Sequence, residues 1–371
     1  MNFFDLELVF VRLGPRKNSY LNSNIVRLRK LFPELSISVI EDEDSRRNSK
    51  QLPGVNYHLY VNQNVRNSKN AKSHKSKLFR EGFWNLTSER LFAVLDYKTS
   101  NPGKSVLHIE SDVLLFPNFP FADFVELKLI SWCCFNESKD VASLFYLPAN
   151  SDVSWLKSEL QSEFVQNSEA TDMTALSKIS RQNMDKVRIF PSLSSLSISQ
   201  MTNPRNLNVL NNLDRLMQLE SHFSGIFDPA AIGMWLCGMD PENHHGKLLL
   251  HDKTILENGD SFINPSALSY KLDSAGNLYF MNKESSIPIY NLHVHSKNRK
   301  ILSAHWIPEL KKYIEMTLTP EPITRKNLGI FCSVLVQQGS PKGALRYMSG
   351  HPMVYPLAKL IGTLVRKPAG R

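Results

Sequence analysis

Three stretches of the 371-residue sequence carry side chains suited to chemistry. The first is residues 104–121, KSVLHIESDVLLFPNFPF. Val106, Leu107 and Ile109 form an apolar run that ends in Glu110-Ser111-Asp112, and a second apolar run, residues 113–116, follows at once. Buried carboxylates are costly unless they are paired, hydrogen-bonded or bound to a metal. Residues two apart share one face of an extended segment, so Glu110 and Asp112 can converge on one cation. That cation would be hard and oxygen-seeking, Mn2+ or Mg2+, with positions left open for phosphates. The alternative for the same two residues is a turn and a helix cap after an ordinary strand.

The second stretch is residues 225–238, GIFDPAAIGMWLCG. Asp228-Pro229 reads as a helix start, with Asp as N-cap and Pro at the first helical position. Capping alone is the alternative role for Asp228. The DPENHHG segment that follows gathers Asp240, Glu242, His244 and His245, as a polar loop or as metal ligands. The third stretch is residues 288–297, PIYNLHVHSK. Read as one strand, it sends Asn291, His293, His295 and Lys297 to one face and Leu292 and Val294 to the other. Two imidazoles and an ammonium on one face are unusual for a purely structural strand. A wet edge strand is the other reading.

The elements that must position these groups begin at the N-terminus. Residues 6–13 read as a strand, broken by Gly14-Pro15. Leu21, Ile25, Leu28 and Leu31 recur at helical spacing over residues 20–31, and Phe32-Pro33 stops that helix. Residues 35–40 read as a second strand. Strand, helix and strand imply a right-handed βαβ unit and a parallel sheet. Ligands of open α/β sheets bind beyond the carboxyl ends of the strands, which places Val11, Arg12 and the segment after Ile40 near a nucleotide. Residues 45–80 are rich in Asn, Ser, Lys and Arg, and read as a basic loop over an anionic ligand or as a solvated insertion. Residues 83–97 read as a helix with Leu91, Val94 and Leu95 toward the core and Arg90 toward solvent or a ligand. Strands are expected over 127–135, 141–147 and near 189, and helices over 155–164 and 173–179, the latter capped at Thr171-Asp172. Residues 213–219 also look helical.

Composition narrows the partners. A formal net charge of +9 points to an anionic partner: nucleic acid, a membrane surface or a phosphorylated substrate. The four cysteines show no paired-ligand spacing, so reduced thiols are expected. The N-terminal residues make a poor signal peptide, and no apolar run is long enough to cross a bilayer. A cytoplasmic protein is the expectation. A short amphipathic segment, residues 357–366, would allow peripheral contact with an anionic membrane on its inner face, or pack as a terminal helix.

The acidic x-acidic motif after an apolar strand, the FDPAAIG segment and the late NLHVHSK strand together resemble nucleotide-sugar-dependent glycosyltransferases of the GT-A fold. ESD stands as a variant of their Asp-x-Asp motif, with Glu110 where the usual pattern has Asp. The resemblance covers roughly residues 4–306 and rests on the order of parts. It implies an α/β, Rossmann-like mixed sheet flanked by helices over residues 1–306, with a basic insertion at about 45–80, and a C-terminal helical extension over 307–371. It implies transfer of a sugar from a UDP- or GDP-linked donor to a hydroxyl of a glycan or lipid-linked acceptor, with Mn2+ or Mg2+. Asp112 would be the dominant metal ligand, with Glu110 in an outer role and His295, preferred to His293, completing the set. Lys297 would contact the diphosphate, with Val11, Arg12 and Arg90 also on the donor side, and Asp228 would activate or position the acceptor hydroxyl. The resemblance leaves open whether the anomeric centre inverts. An inactive protein of the same fold, or a basic nucleic-acid-binding protein, are the other readings. Nucleic acid is not the expected partner, because aromatic residues do not interleave with the basic run as stacking platforms require.

Overall fold

The computed structural model describes residues 6–15, 19–61, 83–203, 211–239, 261–282, 285–296 and 298–318. Its centre is a seven-stranded sheet of order β3-β2-β1-β4-β7-β6-β8. The strands are β1 (Leu6–Arg12), β2 (Ser36–Glu41), β3 (Asn56–Leu59), β4 (Ser105–Ile109), β6 (Ile130–Cys134), β7 (Asp140–Leu147) and β8 (Val187–Ile189). β1 pairs in parallel with both β2 and β4, and β2 with β3. β7 runs antiparallel to β4 and to β6. The sheet is therefore mixed: β6 pairs in parallel with β8, and β7, entered from β6 by a short connection, is the one strand of this sheet that runs against its neighbours. The fold is α/β, with helices packed against this mixed sheet.

Alternation along β1 explains the layering. Leu6, Leu8 and Phe10 join one apolar cluster with Leu21, Ile25 and Leu28 of α1 (Ser19–Leu31). Val9 and Val11 join the other, with Leu91, Val94 and Leu95 of α3 (Phe83–Ser100). A sheet covered on both faces needs strands that are apolar on both sides, and β1 and β4 are buried at every position. The segment expected to be one basic loop opens instead with structure. A short helix, α2 (Glu43–Asn48), is capped by Asp42, whose carboxylate accepts from the Ser45 N–H at 2.8 Å, and β3 adds an edge strand. Residues 62–80, including Lys69, Lys72, Lys75 and Lys77, lie outside the described residues.

After β4 the chain forms β5 (Val113–Leu115) and α4 (Phe121–Glu126). Helices α5 (Ser154–Gln166) and α6 (Asp172–Gln182) follow β7. The expected cap at Thr171 is a full capping box with Thr174. A single turn, α7 (Ile198–Met201), comes next, and the helical reading of 213–219 shrinks to one turn, α8 (Leu213–Leu216). Next come α9 (Ala231–Cys237), a three-stranded antiparallel sheet of β9 (Ser269–Leu272), β10 (Leu278–Met281) and β11 (Ser286–Ile289), then β12 (Asn291–His293) and α10 (Trp306–Leu318). Trp306, Leu310, Tyr313 and Ile314 of α10 pack into the same core as α3 and α9, so the chain just past residue 306 is part of the main body. Cys133, Cys134 and Cys237 are buried free thiols. No described helix is long and apolar enough to cross a membrane.

The far end of the sheet carries a buried carboxylate, Glu7. Its oxygens accept from Lys104 Nζ at 2.8 Å, Tyr97 Oη at 2.7 Å and Ser38 Oγ at 2.5 Å. Burial pushes the Glu7 carboxyl up, but these three donors outweigh it and hold the group below its ordinary value of 4.5. A depressed folded-state value stabilises the protein above pH 4.5, and that contribution is lost as the pH falls through the folded value. Glu7→Gln is therefore expected to lower the melting temperature at pH 7, and the gap from wild type should narrow in melts run below pH 4.

Candidate metal centre

The site is assembled at the end of β4, where the sequence turns from apolar to acidic. Glu110 follows Ile109 directly, and its N–H donates to the Ser143 carbonyl at 3.1 Å. A turn closed by Val113 N–H donating to the Glu110 carbonyl at 3.0 Å then starts β5. β5 pairs antiparallel with β12, opposing Val113 to His293, Leu114 to Leu292 and Leu115 to Asn291. This pairing brings the acidic turn and the late histidine segment together, as the sequence predicted. His293 Nε2 lies 3.1 Å from a Glu110 oxygen and 3.6 Å from an Asp112 oxygen. One ligand atom each from Glu110, Asp112 and His293 falls within 4.8 Å of the others.

The details differ from the sequence reading in four ways. First, residues 288–297 are not one strand. β11 belongs to the three-stranded sheet, β12 pairs with β5, and alternation ends at His293. His295 lies in the turn that follows, its ring 4.6 Å from that of His293, so the expected preference for His295 is corrected to His293. Second, Glu110 was expected in an outer role, yet it is the carboxylate nearer to His293. Third, of the two readings of Arg90, toward solvent or toward a ligand, the solvent one does not hold. Arg90 is largely buried, and one of its nitrogens lies 2.6 Å from Glu110 and 3.4 Å from Asp172 at the start of α6. Fourth, Asp228 is fully buried and two to three residues ahead of its helix. Its Oδ1 accepts from Ile232 N–H at 2.9 Å, and its Oδ2 from Gly233 N–H at 2.8 Å and His293 N–H at 3.1 Å. Both oxygens are engaged by backbone donors, so Asp228 anchors β12 to α9 and is not placed to meet an acceptor hydroxyl. Asn291 completes the anchor by exchanging two hydrogen bonds with the Asp228 backbone, at 3.0 and 2.9 Å.

Val11 and Arg12 end β1 beside the site, but both are buried. Arg12 is committed to Glu41, which also accepts from Arg46 and Gln51. Gly14 N–H and Ser45 N–H donate to the two Asp42 oxygens, which ties the β1 and β2 ends into one polar rim. Lys297 and the DPENHHG segment lie outside the described residues. Asp172 is read from the sequence only as part of a helix cap, and His108 has no role in that reading. His108 sits two residues before Glu110 on β4, with Nδ1 on the Val9 carbonyl at 2.9 Å and its Nε2 without a partner among the described residues. Its i, i+2 spacing from Glu110 was the signal that could have marked it.

The charges explain one another. Burial alone would push the Glu110 carboxyl up, but Arg90 and then His293 hold it well below the carboxylate range. Burial would lower His293, and the carboxylates of Asp112 and Glu110 raise it well above its ordinary value. With His293 protonated, the imidazolium occupies the electrostatic place of a cation between two carboxylates. His293 Nδ1 lies 3.2 Å from the Pro229 carbonyl, which accepts a hydrogen bond from its N–H. In the neutral ring that fixes the lone pair on Nε2, the atom facing the carboxylates. Two carboxylates and one so-oriented imidazole, buried together, form a donor set that fits Mn2+.

No family model matches the chain, and no curated protein matches it. Among solved structures it is similar to a galactosyltransferase, LgtC, in complex with donor and acceptor sugar analogs. The identity is 12%, the match covers 50% of this chain and 73% of that one, and the TM-score is 0.34. It is also similar to a glycosyltransferase involved in glycosylation of the major capsid of PBCV-1, at 11% identity, covering 50% and 80%, with a TM-score of 0.31. A third is mouse xyloside xylosyltransferase 1, at 10% identity, covering 52% and 88%, with a TM-score of 0.33. These are likenesses of chain path at low identity, and no residue role is carried across from them.

The closest packing at the site is between α9 and β12. A Cβ placed on Gly233 would stand 2.1 Å from the His293 carbonyl oxygen. Alanine is the better helix former by about 1 kcal/mol, but overpacking against backbone costs about 1–3 kcal/mol. Gly233→Ala is therefore expected to be net destabilising in urea melts.

Proposed function

We propose that the chain is a divalent-cation-dependent glycosyltransferase that moves a sugar from a nucleotide-diphosphate donor to a hydroxyl acceptor. The single observation that carries this reading is the convergence of Glu110, Asp112 and His293 at the carboxyl end of β4. That is the edge of an α/β sheet where phosphorylated ligands bind. The residues come from the sequence motifs that resemble GT-A glycosyltransferases. The Arg12–Glu41 and Asp42 rim lines the neighbouring strand ends, on the side assigned to the nucleotide.

In this reading Asp112, Glu110 and His293 hold Mn2+ or Mg2+. The cation, when bound, offsets charge on the diphosphate as the glycosidic bond breaks. Arg90 limits the freedom of Glu110 by gripping one of its oxygens, which leaves the other directed at His293. Lys297, four residues beyond His293, is assigned to the diphosphate. Asp228 is assigned to holding His293 by its backbone, and another group must then meet the acceptor. The acceptor is a glycan or a lipid-linked hydroxyl, and the net charge of +9 suits an anionic donor and an anionic membrane surface alike.

The test is ligand-induced thermal stabilisation. UDP- or GDP-sugars with Mn2+ should raise the melting temperature by several degrees, and single-stranded oligonucleotides should leave it unchanged. The opposite pattern would favour the nucleic-acid reading. Asp112→Asn keeps the size and removes the charge, so the cation-dependent part of the shift should vanish while the melting temperature without ligand is kept. An undiminished shift in that variant would remove the metal centre from the reading.

A further inference from the structure

β5 is three residues long and belongs to a two-stranded sheet with β12 alone. A two-stranded ribbon is marginal by itself, yet this one carries Asp112 at its start and His293 at its partner's end. One edge of β5 faces β12: Val294 N–H donates to the Asp112 carbonyl at 2.8 Å, and Phe116 N–H to the Tyr290 carbonyl at 3.0 Å. The carbonyls of Ser111, Val113 and Leu115 therefore point to the opposite edge, where a third strand would lie.

Among the described residues no strand lies there. Two side chains of α1 take its place. Asn24 Nδ2 donates to the Val113 carbonyl at 2.8 Å and to the Ser111 carbonyl at 3.3 Å. Arg27 Nη1 donates to the Leu115 carbonyl at 2.8 Å. The two are locked to each other, with Arg27 Nη2 donating to Asn24 Oδ1 at 2.8 Å and Nε to the same oxygen at 3.3 Å. Both side chains are fully buried, and the Arg27 guanidinium lies over the Trp306 ring, 5.7 Å from its centroid. None of the ion pairs found among the described residues involves Arg27. A buried guanidinium held by one backbone carbonyl, an amide oxygen and an aromatic face is an expensive way to fill a helix–sheet contact. Neighbouring positions of α1 fill it with Leu21, Ile25 and Leu28.

We infer that Asn24 and Arg27 are positioning residues for the metal centre: by taking the successive outward carbonyls of residues 111–115 they fix where Asp112 stands relative to His293. This rests on the cation reading above, and it extends that reading to residues on α1 that face away from the ligand. Neither side chain belongs to the Glu110, Asp112 and His293 group. Their effect passes through the backbone of one short strand, where a shift of about 1 Å is enough to spoil a site of this kind.

The test is a titration of the full chain with Mn2+ alone, read by the electron paramagnetic resonance signal of free Mn2+. Wild type should bind. Arg27→Met keeps length and apolar packing and removes every donor, and Asn24→Leu does the same for the amide. Each should weaken Mn2+ binding tenfold or more. Arg27→Lys, which keeps a donor for the Leu115 carbonyl but cannot fork to Asn24, should recover part of the loss. Leu28→Val, a core change on the same helix with no contact to those carbonyls, controls for stability and should bind Mn2+ like wild type. Amide hydrogen exchange over β5 and β12 should speed up in the Met and Leu variants and not in the control. If those two variants fold poorly, Arg27→Lys and Asn24→Ser carry the same comparison with smaller expected changes. Wild-type affinity in variants whose exchange is unchanged would overturn the inference. A weakening equal to that of a destabilised control would overturn it too. Failure of wild type to bind Mn2+ would instead overturn the metal reading itself, a separate result.

Discussion

The site depends on one backbone pairing, between β5 and β12. Asp112 comes before one strand and His293 ends the other, and nearly half the chain lies between them. Neither segment has much of its own to hold it. Each strand is three residues long, and among the described residues the pair has no third member. What keeps it in register comes from outside: Asn24 and Arg27 on one edge, and Asp228, which bonds Asn291 of β12, and Gly233 behind the other. Polar groups dominate both supports, and each polar group is matched to a backbone donor or acceptor. Matching is what makes their burial tolerable.

The same logic applies to charge. Two carboxylates a few ångströms apart repel, and burial strengthens the repulsion. The fold offsets it with one fixed cation, Arg90, and one titratable group, His293. Arg90 is itself shared with Asp172, so its charge is spread over two helix-borne and strand-borne acids and does not neutralise Glu110 alone. That leaves the cluster with a negative balance when His293 is neutral. A divalent cation would meet this demand without any change of side-chain identity.

Much of the frame was legible because local pattern and tertiary environment agree there. Alternating apolar residues gave β1 and β2, helical spacing gave α1, and the acidic pair after a buried strand marked the β4 end. The meeting of that pair with the late histidine segment was also legible, since both are polar exceptions inside apolar runs. The choice between His293 and His295 was not. Period-2 alternation says which residues share a face only while the strand lasts, and β12 stops at His293. Asp228 misled for a related reason. Asp-Pro before an apolar run is a sound cap signal, and Asp228 does cap α9, but from further back and with His293 as an additional donor. The reversed direction of β7, and the break between β11 and β12, are set by long-range pairing that no local window contains.

Asn24 and Arg27 illustrate the deeper limit. In α1 the apolar positions Leu21, Ile25 and Leu28 define the buried face, and helical spacing puts Asn24 beside them and Arg27 at the face's edge. A reader of the sequence assigns such a pair to the solvated side, because charged residues are seldom fully buried. Their burial makes sense only once a strand with one empty edge is placed beneath them. The requirement belongs to β5, and it is written in the sequence of a different element some ninety residues earlier. A residue's role in a site is then set by which backbone groups it satisfies, and chemistry-bearing motifs alone identify only the side chains that touch the ligand. The supports that decide whether those side chains are in place are found by asking where each buried carbonyl finds its donor.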